Sequence, residues 1–266
     1  MRFFAVLGEN GMRVILIIAA LAAFLYVGLC LVLFLSQRSF IYYPQPKSPT
    51  DHDPTLTLDV NGARIVIATR PSTGPDAVIY FGGNAEAVSY SLPTLAEAYR
   101  GRSLFAMNYR GYGGSTGTPS EAALIADALV LFDHVHVDHP HIIVIGRSLG
   151  SGVAVHIASL RAVERLVLVT PYDSLAEIAA NHFRLFPVRW LLIDKFESWR
   201  YAPKISAPTQ LIAAQYDDVI PFLSTQSLYK HFPEGLATLT VIPMVGHNSI
   251  SESPDYIPLL RGTHAE

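Results

Sequence analysis

The stretch Ile142-Ile-Val-Ile-Gly-Arg-Ser148-Leu-Gly150 decides how this chain folds. Four β-branched apolar residues make a short buried strand. Gly146-Arg-Ser148-Leu-Gly150 (G-x-S-x-G) then turns the chain into the helical pattern Ser151-Gly-Val-Ala-Val-His-Ile-Ala. Glycine at positions 146 and 150 lets the backbone turn sharply and lets the helix pack close to the strand. An elbow of this kind holds a serine hydroxyl above the sheet, where it is available as a nucleophile. Three fixed positions in five are a weak signal alone, and the strand before and helix after make it a strong one.

On both sides of the elbow the same unit recurs. Ala77-Val-Ile-Tyr-Phe runs into Gly82-Gly83, and Ser103-Leu-Phe-Ala-Met precedes Arg110-Gly111. Leu166-Val-Leu-Val, Gln210-Leu-Ile-Ala-Ala and Leu239-Thr-Val-Ile follow the elbow. Strand, glycine-bearing turn and helix in alternation predict an α/β domain with a mostly parallel sheet covered by helices on both faces. At its start, Thr55-Leu-Thr-Leu-Asp-Val and Ala63-Arg-Ile-Val-Ile-Ala flank Asn61-Gly62, which predicts an antiparallel hairpin. Ligands of such sheets sit beyond the carboxyl ends of the strands.

A serine hydroxyl needs a base to take its proton and a third group to orient that base, in the chain order Ser, Asp/Glu, His. Asp217 ends one apolar run and His247, in Val245-Gly-His-Asn, follows another, so both fall at the same sheet edge as Ser148. Asp217 stands before a Val-Ile-Pro turn, the usual place of the acid, although Asp218 is an adjacent alternative. The amide of Leu149 is expected to form half of an oxyanion hole. That of Asn84, in Phe81-Gly-Gly-Asn84, supplies the other half, unless Gly82-Gly83 is merely a tight turn.

A rival motif lies nearby. His134-Val-His-Val-Asp-His139 has the H-x-H-x-D-H spacing of zinc-dependent hydrolases of the metallo-β-lactamase type. It precedes the Ile142 strand while Ser148 follows it, so about 15 to 20 Å of strand separates the two clusters. A helical pattern from Ala122 to Phe132 leads into it, no comparable cluster follows, and histidines in a polar helix-to-strand loop explain it more simply.

The 266 residues, half of them hydrophobic, suffice for one large domain with a buried core. A formal charge of -3 and the absence of any Lys/Arg cluster argue against nucleic acid as a partner. The single cysteine, Cys30, permits no intrachain disulfide. It lies in Val14 to Leu35, 22 residues without a charge, which as a helix reach about 33 Å and span a bilayer core. The run is too long for a signal-peptide core and no small-x-small site follows it, so it reads as a retained anchor. Phe40, Tyr42 and Tyr43 are placed for an interfacial belt. Arg2 and Arg13 against Arg38 and Lys47 tilt the balance slightly towards a cytoplasmic amino terminus, with the globular part on the non-cytoplasmic side. The expected organisation is therefore a tail and anchor over 1–37 and a catalytic domain over 38–266, with a small cap at about 178–200. Within that cap, Phe183, Leu185, Phe186, Trp190, Leu191 and Leu192 read first as a core-facing helix face, and alternatively as an apolar wall for an acyl chain or a patch near the membrane.

Taken together these residues resemble the membrane-anchored α/β-hydrolases of the fungal bud-emergence-suppressor and bacterial YfhR types, and the related eukaryotic hydrolase-domain depalmitoylases. The resemblance runs from about Phe40 to His247. It is carried by Ile41-Tyr-Tyr-Pro, by Asn108-Tyr-Arg-Gly-Tyr-Gly-Gly-Ser-Thr-Gly-Thr-Pro-Ser120, by Gly146-Arg-Ser-Leu-Gly-Ser-Gly152, by Phe196-Glu-Ser-Trp-Arg-Tyr-Ala-Pro203 and by Gly246-His-Asn248. It implies the α/β-hydrolase fold, a Ser148-Asp217-His247 triad, and esterase or thioesterase action on acyl substrates, lipid-derived ones included, without metal or organic cofactor. Gly82 stands where the family usually has His, Asn108 where Asp is common, and Ala214 where Gly is. Two other readings remain beside it: a non-catalytic binding protein on the same fold, and a serine peptidase.

Overall fold

The computed structural model describes residues 9–47 and 53–262. Most of the expected amino-terminal tail, Arg2 included, lies outside these residues. The chain opens with a helix, α1 (Glu9–Ile41), and continues through β1 (Thr55–Val60), β2 (Ala63–Arg70), β3 (Asp76–Phe81), α2 (Leu92–Ala98), β4 (Ser103–Met107) and α3 (Glu121–His136). There follow β5 (His141–Arg147), α4 (Leu149–Leu160), β6 (Arg165–Val169), α5 (Leu175–His182), α6 (Val188–Leu191), β7 (Thr209–Tyr216), α7 (Phe222–Tyr229), β8 (Ala237–Gly246) and α8 (Tyr256–Arg261).

Among the described residues eight strands form one sheet in the order β1-β2-β4-β3-β5-β6-β7-β8. The Asn61-Gly62 turn closes an antiparallel β1/β2 pair, with Asn61 and Gly62 both at positive φ, and β2 joins β4 antiparallel. All remaining pairs are parallel. Strands β3 and β5 are buried along nearly their whole length, which is why they read as unbroken apolar runs rather than alternating ones. Their residues still divide by parity. Ile79, Phe81 and Val144 pack with α3 and α4, whereas Val78, Tyr80, Ile143 and Ile145 pack with α2 and α8 on the other face.

Helix α1 stands apart from this core for most of its length. It is long and apolar enough to cross a bilayer, and Leu16, Phe24, Leu25 and Leu35 are each more than half exposed. It runs unbroken past residue 38 to Ile41, and its last turns dock on the domain, where Gln37, Ile41 and Tyr42 are buried. Tyr42 therefore does not join Phe40 and Tyr43 in an interfacial belt. Its hydroxyl donates to Asp194 at 3.1 Å, and only the other two rings remain exposed.

The expected single helix face between Phe183 and Leu192 does not form either. Helix α5 stops at His182, the short α6 begins only after Pro187, and Leu185 and Trp190 are 82 % and 89 % exposed. Proline at 187 disfavours helical backbone at the residue before it and donates no amide, so the stripe is split between two elements.

Candidate active site

The elbow is strained in the way its sequence requires. Ser148 has φ 50° and ψ −119°, a backbone conformation uncommon for a residue with a side chain. Two contacts over-determine it: its amide donates to the Val169 carbonyl at 2.9 Å, and its carbonyl accepts from the amide and the hydroxyl of Ser151. A Cβ at position 150 would lie 2.1 Å from the Phe81 carbonyl oxygen, so only glycine lets α4 start this close to β3. Ser148 occupies the N-cap position of α4, where a serine usually bonds the helix's own amides. Here it makes no such bond, and its Oγ lies 3.0 Å from His247 Nε2.

The partners arrive from the carboxyl ends of β7 and β8. Between these strands the register jumps: Ala214 pairs with Ile242 and Tyr216 with Gly246, leaving 243–245 bulged on β8. The irregularity brings His247 beside Ser148, and His247 Nδ1 lies 3.0 and 2.9 Å from the two carboxylate oxygens of Asp217. The Val219 and Ile220 amides donate to Asp217 Oδ1 and hold that carboxylate in place. Asp218 is exposed, whereas the side chains of Asp217 and His247 are each 6 % exposed.

The loop after β3 lies against the same serine. A Cβ on Gly83 would sit 3.7 Å from Ser148 Cβ, and Asn84 and Leu149 line the pocket beside Ser148. As the first residue of α4, Leu149 has an amide with no acceptor inside the helix. Asn84 is held on both sides by the segment leaving α1: its Nδ2 donates to the Ile41 carbonyl, and its own carbonyl accepts from Tyr43 N and Tyr112 Oη. These bonds join Ile41-Tyr-Tyr-Pro to the Tyr112 loop, two segments far apart in sequence.

Behind the serine lies a polar network that sequence reasoning missed. Glu86 accepts from Gly83 N at 2.8 Å, Arg147 Nη1 at 3.1 Å, Tyr80 Oη at 2.7 Å and Ser91 Oγ at 2.6 Å. Arg147 in turn donates to the His247 carbonyl at 3.4 Å. One carboxylate–guanidinium pair, with side chains 11 % and 18 % exposed, thus ties the loop of Gly83 to that of His247. Burial first, and then the Glu86 charge, push the Tyr80 hydroxyl well above its ordinary pKa, so it stays a protonated donor to this carboxylate. Val88 first, and then the same carboxylate, leave no room for a side chain at position 82, since a Cβ there would meet Val88 at 2.8 Å and Glu86 at 3.0 Å. The available signal was a charged residue at the end of an apolar strand, Arg147, with an acid in the neighbouring loop.

The H-V-H-V-D-H run lies away from this edge. His134 and His136 belong to the last turn of α3 rather than to a loop, a position where imidazole suits the helix C-terminus. His136 stacks on Phe132, and His139 bonds the Gly74 carbonyl and packs on Phe105. Among the described residues no three His, Cys, Asp or Glu side chains are grouped to hold a metal.

Over the serine opens a cavity of about 280 Å³. Its walls come from the loop of Asn84, from α5 and the segment after it, from the acid loop, and from the end of α1.

Comparison with known proteins agrees with this architecture. Residues 79–249 match the model of the alpha/beta hydrolase family. An uncharacterized protein of Mycobacterium tuberculosis is 34 % identical over 251 residues, covering 87 % of both chains. The lysophosphatidylserine lipase ABHD12 of Macaca fascicularis is 35 % identical over 144 residues, 46 % of this chain and 36 % of that protein. Among solved structures, an esterase of Pyrococcus furiosus superimposes with a TM-score of 0.65 at 18 % identity over 83 % of this chain and 97 % of that one. The match over most of the domain, joined to the sheet order and the elbow, makes the conclusion plain: the chain belongs to the alpha/beta hydrolase family.

Proposed function

We propose that this hydrolase is a membrane-anchored serine enzyme that cleaves carboxylic esters or thioesters of acyl chains, lipid-derived ones among them. The observation that carries the reading is the line from Ser148 Oγ through His247, 3.0 Å from Nε2 and 2.9 Å from Nδ1 to Asp217, at the floor of a mostly apolar cavity. Resemblance to the membrane-anchored branches of the family and the partial similarity to a lysophosphatidylserine lipase support the substrate class. The long exposed apolar helix supports the anchor, and the arginine balance favours a domain on the non-cytoplasmic side.

In this mechanism Ser148 Oγ attacks the acyl carbonyl carbon while its proton passes to His247 Nε2. Asp217 holds the Nδ1–H bond and stabilises the imidazolium that forms. The amides of Leu149 and Asn84 donate to the oxyanion of the tetrahedral intermediate. Collapse breaks the ester bond, and the leaving alcohol or thiol takes the proton from Nε2. Water then attacks the acyl-enzyme, again giving a proton to His247, and its collapse releases the acid and restores the serine. No residue in this scheme needs a metal or an organic cofactor. The segment at 178–200 acts as the cap over the acyl group.

The test is labelling of the full-length protein with a fluorophosphonate probe alongside turnover of an acyl ester. Wild type is expected to label and turn over. Ser148→Ala is expected to do neither, with turnover down on the order of 10⁴- to 10⁶-fold. Folded wild type that neither labels nor hydrolyses any ester is the binding protein of the competing interpretation.

A further inference from the structure

An anchor that only tethers a domain has no need to be fixed in rotation, yet α1 is. Gln37, buried at 8 % exposure, donates from Nε2 to the Leu191 carbonyl at 3.2 Å and accepts from the Ile193 amide at 2.7 Å. Next to it, Arg38 pairs with Asp194 at 3.0 Å, and Asp194 also receives the Tyr42 hydroxyl. Further along the helix, Tyr26 donates to the Leu185 carbonyl at 2.8 Å and its ring stacks on Phe186 at 5.8 Å. Buried polar groups are costly unless they are bonded, so the contacts of Gln37, Tyr42 and Asp194, all buried, select one orientation of the helix about its axis, and the more exposed contacts of Arg38 and Tyr26 suit that same orientation.

That orientation turns one face of α1 into the cavity. Leu33, Gln37 and Ile41 follow one another at intervals of four, and Phe34 and Phe40 flank them; all five line the pocket that contains Ser148. Ile41 sits at the nucleophile end, where its carbonyl holds Asn84. Leu33 lies eight residues up the helix, about 12 Å away along its axis. The opposite wall is Ile178, Phe183, Phe186 and Leu191 of the cap side. Among the described residues that line this cavity there is no Asp, Glu, Lys or Arg, and the Gln37 amide is already spent on the cap backbone. Such a cavity has no carboxylate, ammonium or guanidinium to pair with a charged headgroup, its polar side chains being Asn84, Ser148, His182, Tyr172 and Gln37, and at about 280 Å³ it is slightly smaller than the usual range for ligand pockets.

We infer that the end of the anchor helix is itself the acyl-binding wall of the site, with a single acyl chain lying along Ile41 to Leu33 and its length read at Leu33 and Phe34. This rests on the reading of Ser148 as the nucleophile. The anchor is then a specificity element, and the cap and α1 together form a pocket that neither completes alone.

The test uses the full-length protein in detergent and nitrophenyl esters graded from acetyl to palmitoyl. Leu33→Trp fills the far end of the pocket. It is expected to keep acetyl and butyryl turnover within about twofold of wild type and to lose about tenfold or more in kcat/KM on dodecanoyl and palmitoyl esters. Val32→Trp places the same ring one residue away on a side that is 57 % exposed and off the pocket, and it is expected to keep the wild-type profile. If Leu33→Trp also loses acetyl turnover, Leu33→Ala decides, because enlarging the pocket is expected to shift the preference to longer chains. A chain-length profile unmoved by Leu33→Ala, or unmoved by an active Leu33→Trp, overturns the inference, as does an equal effect of Val32→Trp. Wild type inactive on every ester overturns the catalytic reading instead, and wild type active with an indifferent Leu33 overturns this one alone.

Discussion

The two ends of the pocket are built differently. At the floor, the loops around the serine are held by short polar contacts between side chains and backbone: Glu86 alone collects four donors, and Asp217 receives two amides besides the imidazole. At the roof, the walls are apolar side chains from α1, α5 and the segment after it, fastened by Gln37 and by one ion pair whose arginine is 45 % exposed. Position matters to about 1 Å where a proton moves, whereas an acyl chain needs only a dry surface of the right length. Substitutions at the floor should therefore change rate on every substrate, and substitutions at the roof should change which substrate is preferred.

The largest effect expected of a single conservative change is at the orienting acid. Asp217→Asn preserves shape but loses the charge that fixes the imidazole tautomer, and kcat is expected to fall by about 10⁴-fold, or about 5 kcal/mol. Asp218→Asn, at an exposed neighbour, should stay within about threefold of wild type in the same assay. Equal losses at the two positions would break the assignment of the acid.

Glu86 sharpens the comparison from below. Glu86→Gln puts a donor where a carboxylate now accepts four hydrogen bonds, so the Gly83 loop and the His247 loop are no longer tied through Arg147. A shift of either loop by about 1 Å predicts a loss of ten- to a hundredfold in kcat on short and long esters alike, with KM little changed. An effect confined to long chains would mean that this network belongs to the roof and not to the floor.

The smallest effect is expected at the fastening of the roof. Asp194→Asn weakens the pairs with Arg38 and Tyr42, and because Arg38 is well exposed while Asp194 and the Tyr42 hydroxyl are buried, the stability cost is expected at about 1 to 3 kcal/mol. Acetyl ester turnover should be unaffected, while palmitoyl turnover falls by a few-fold; thermal melting and parallel assays on the two esters measure both. A uniform loss on both esters would show that the helix supports catalysis and not selectivity.

Much of this molecule was legible in its residues. The parallel strands announced themselves as apolar runs ending in glycine turns, because a strand covered on both faces has no polar side to interrupt it. Ser148, Asp217 and His247 could be expected together because each follows such a run, and the parallel sheet sends all those ends to one edge. The stripe from Phe183 to Leu192 misled, since its spacing suits one continuous helix while Pro187 divides it into two short elements around the cavity. Tyr42 looked like an interfacial ring, because nothing near it in sequence reveals an acid 152 residues away that buries its hydroxyl.

The sequence by itself determined the fold class, the strand-to-helix elbow at Ser148 and a helix long enough for a bilayer, since each is written in local periodicity or in the spacing of a few residues along one element. Only the tertiary structure decided that Glu86 and Arg147 join the loops behind Ser148 and that the end of α1 lines the pocket in front. Those are contacts between segments whose separation in the chain carries no period, and they come into being only when the sheet brings its loops to a common edge and the cap folds back onto the helix.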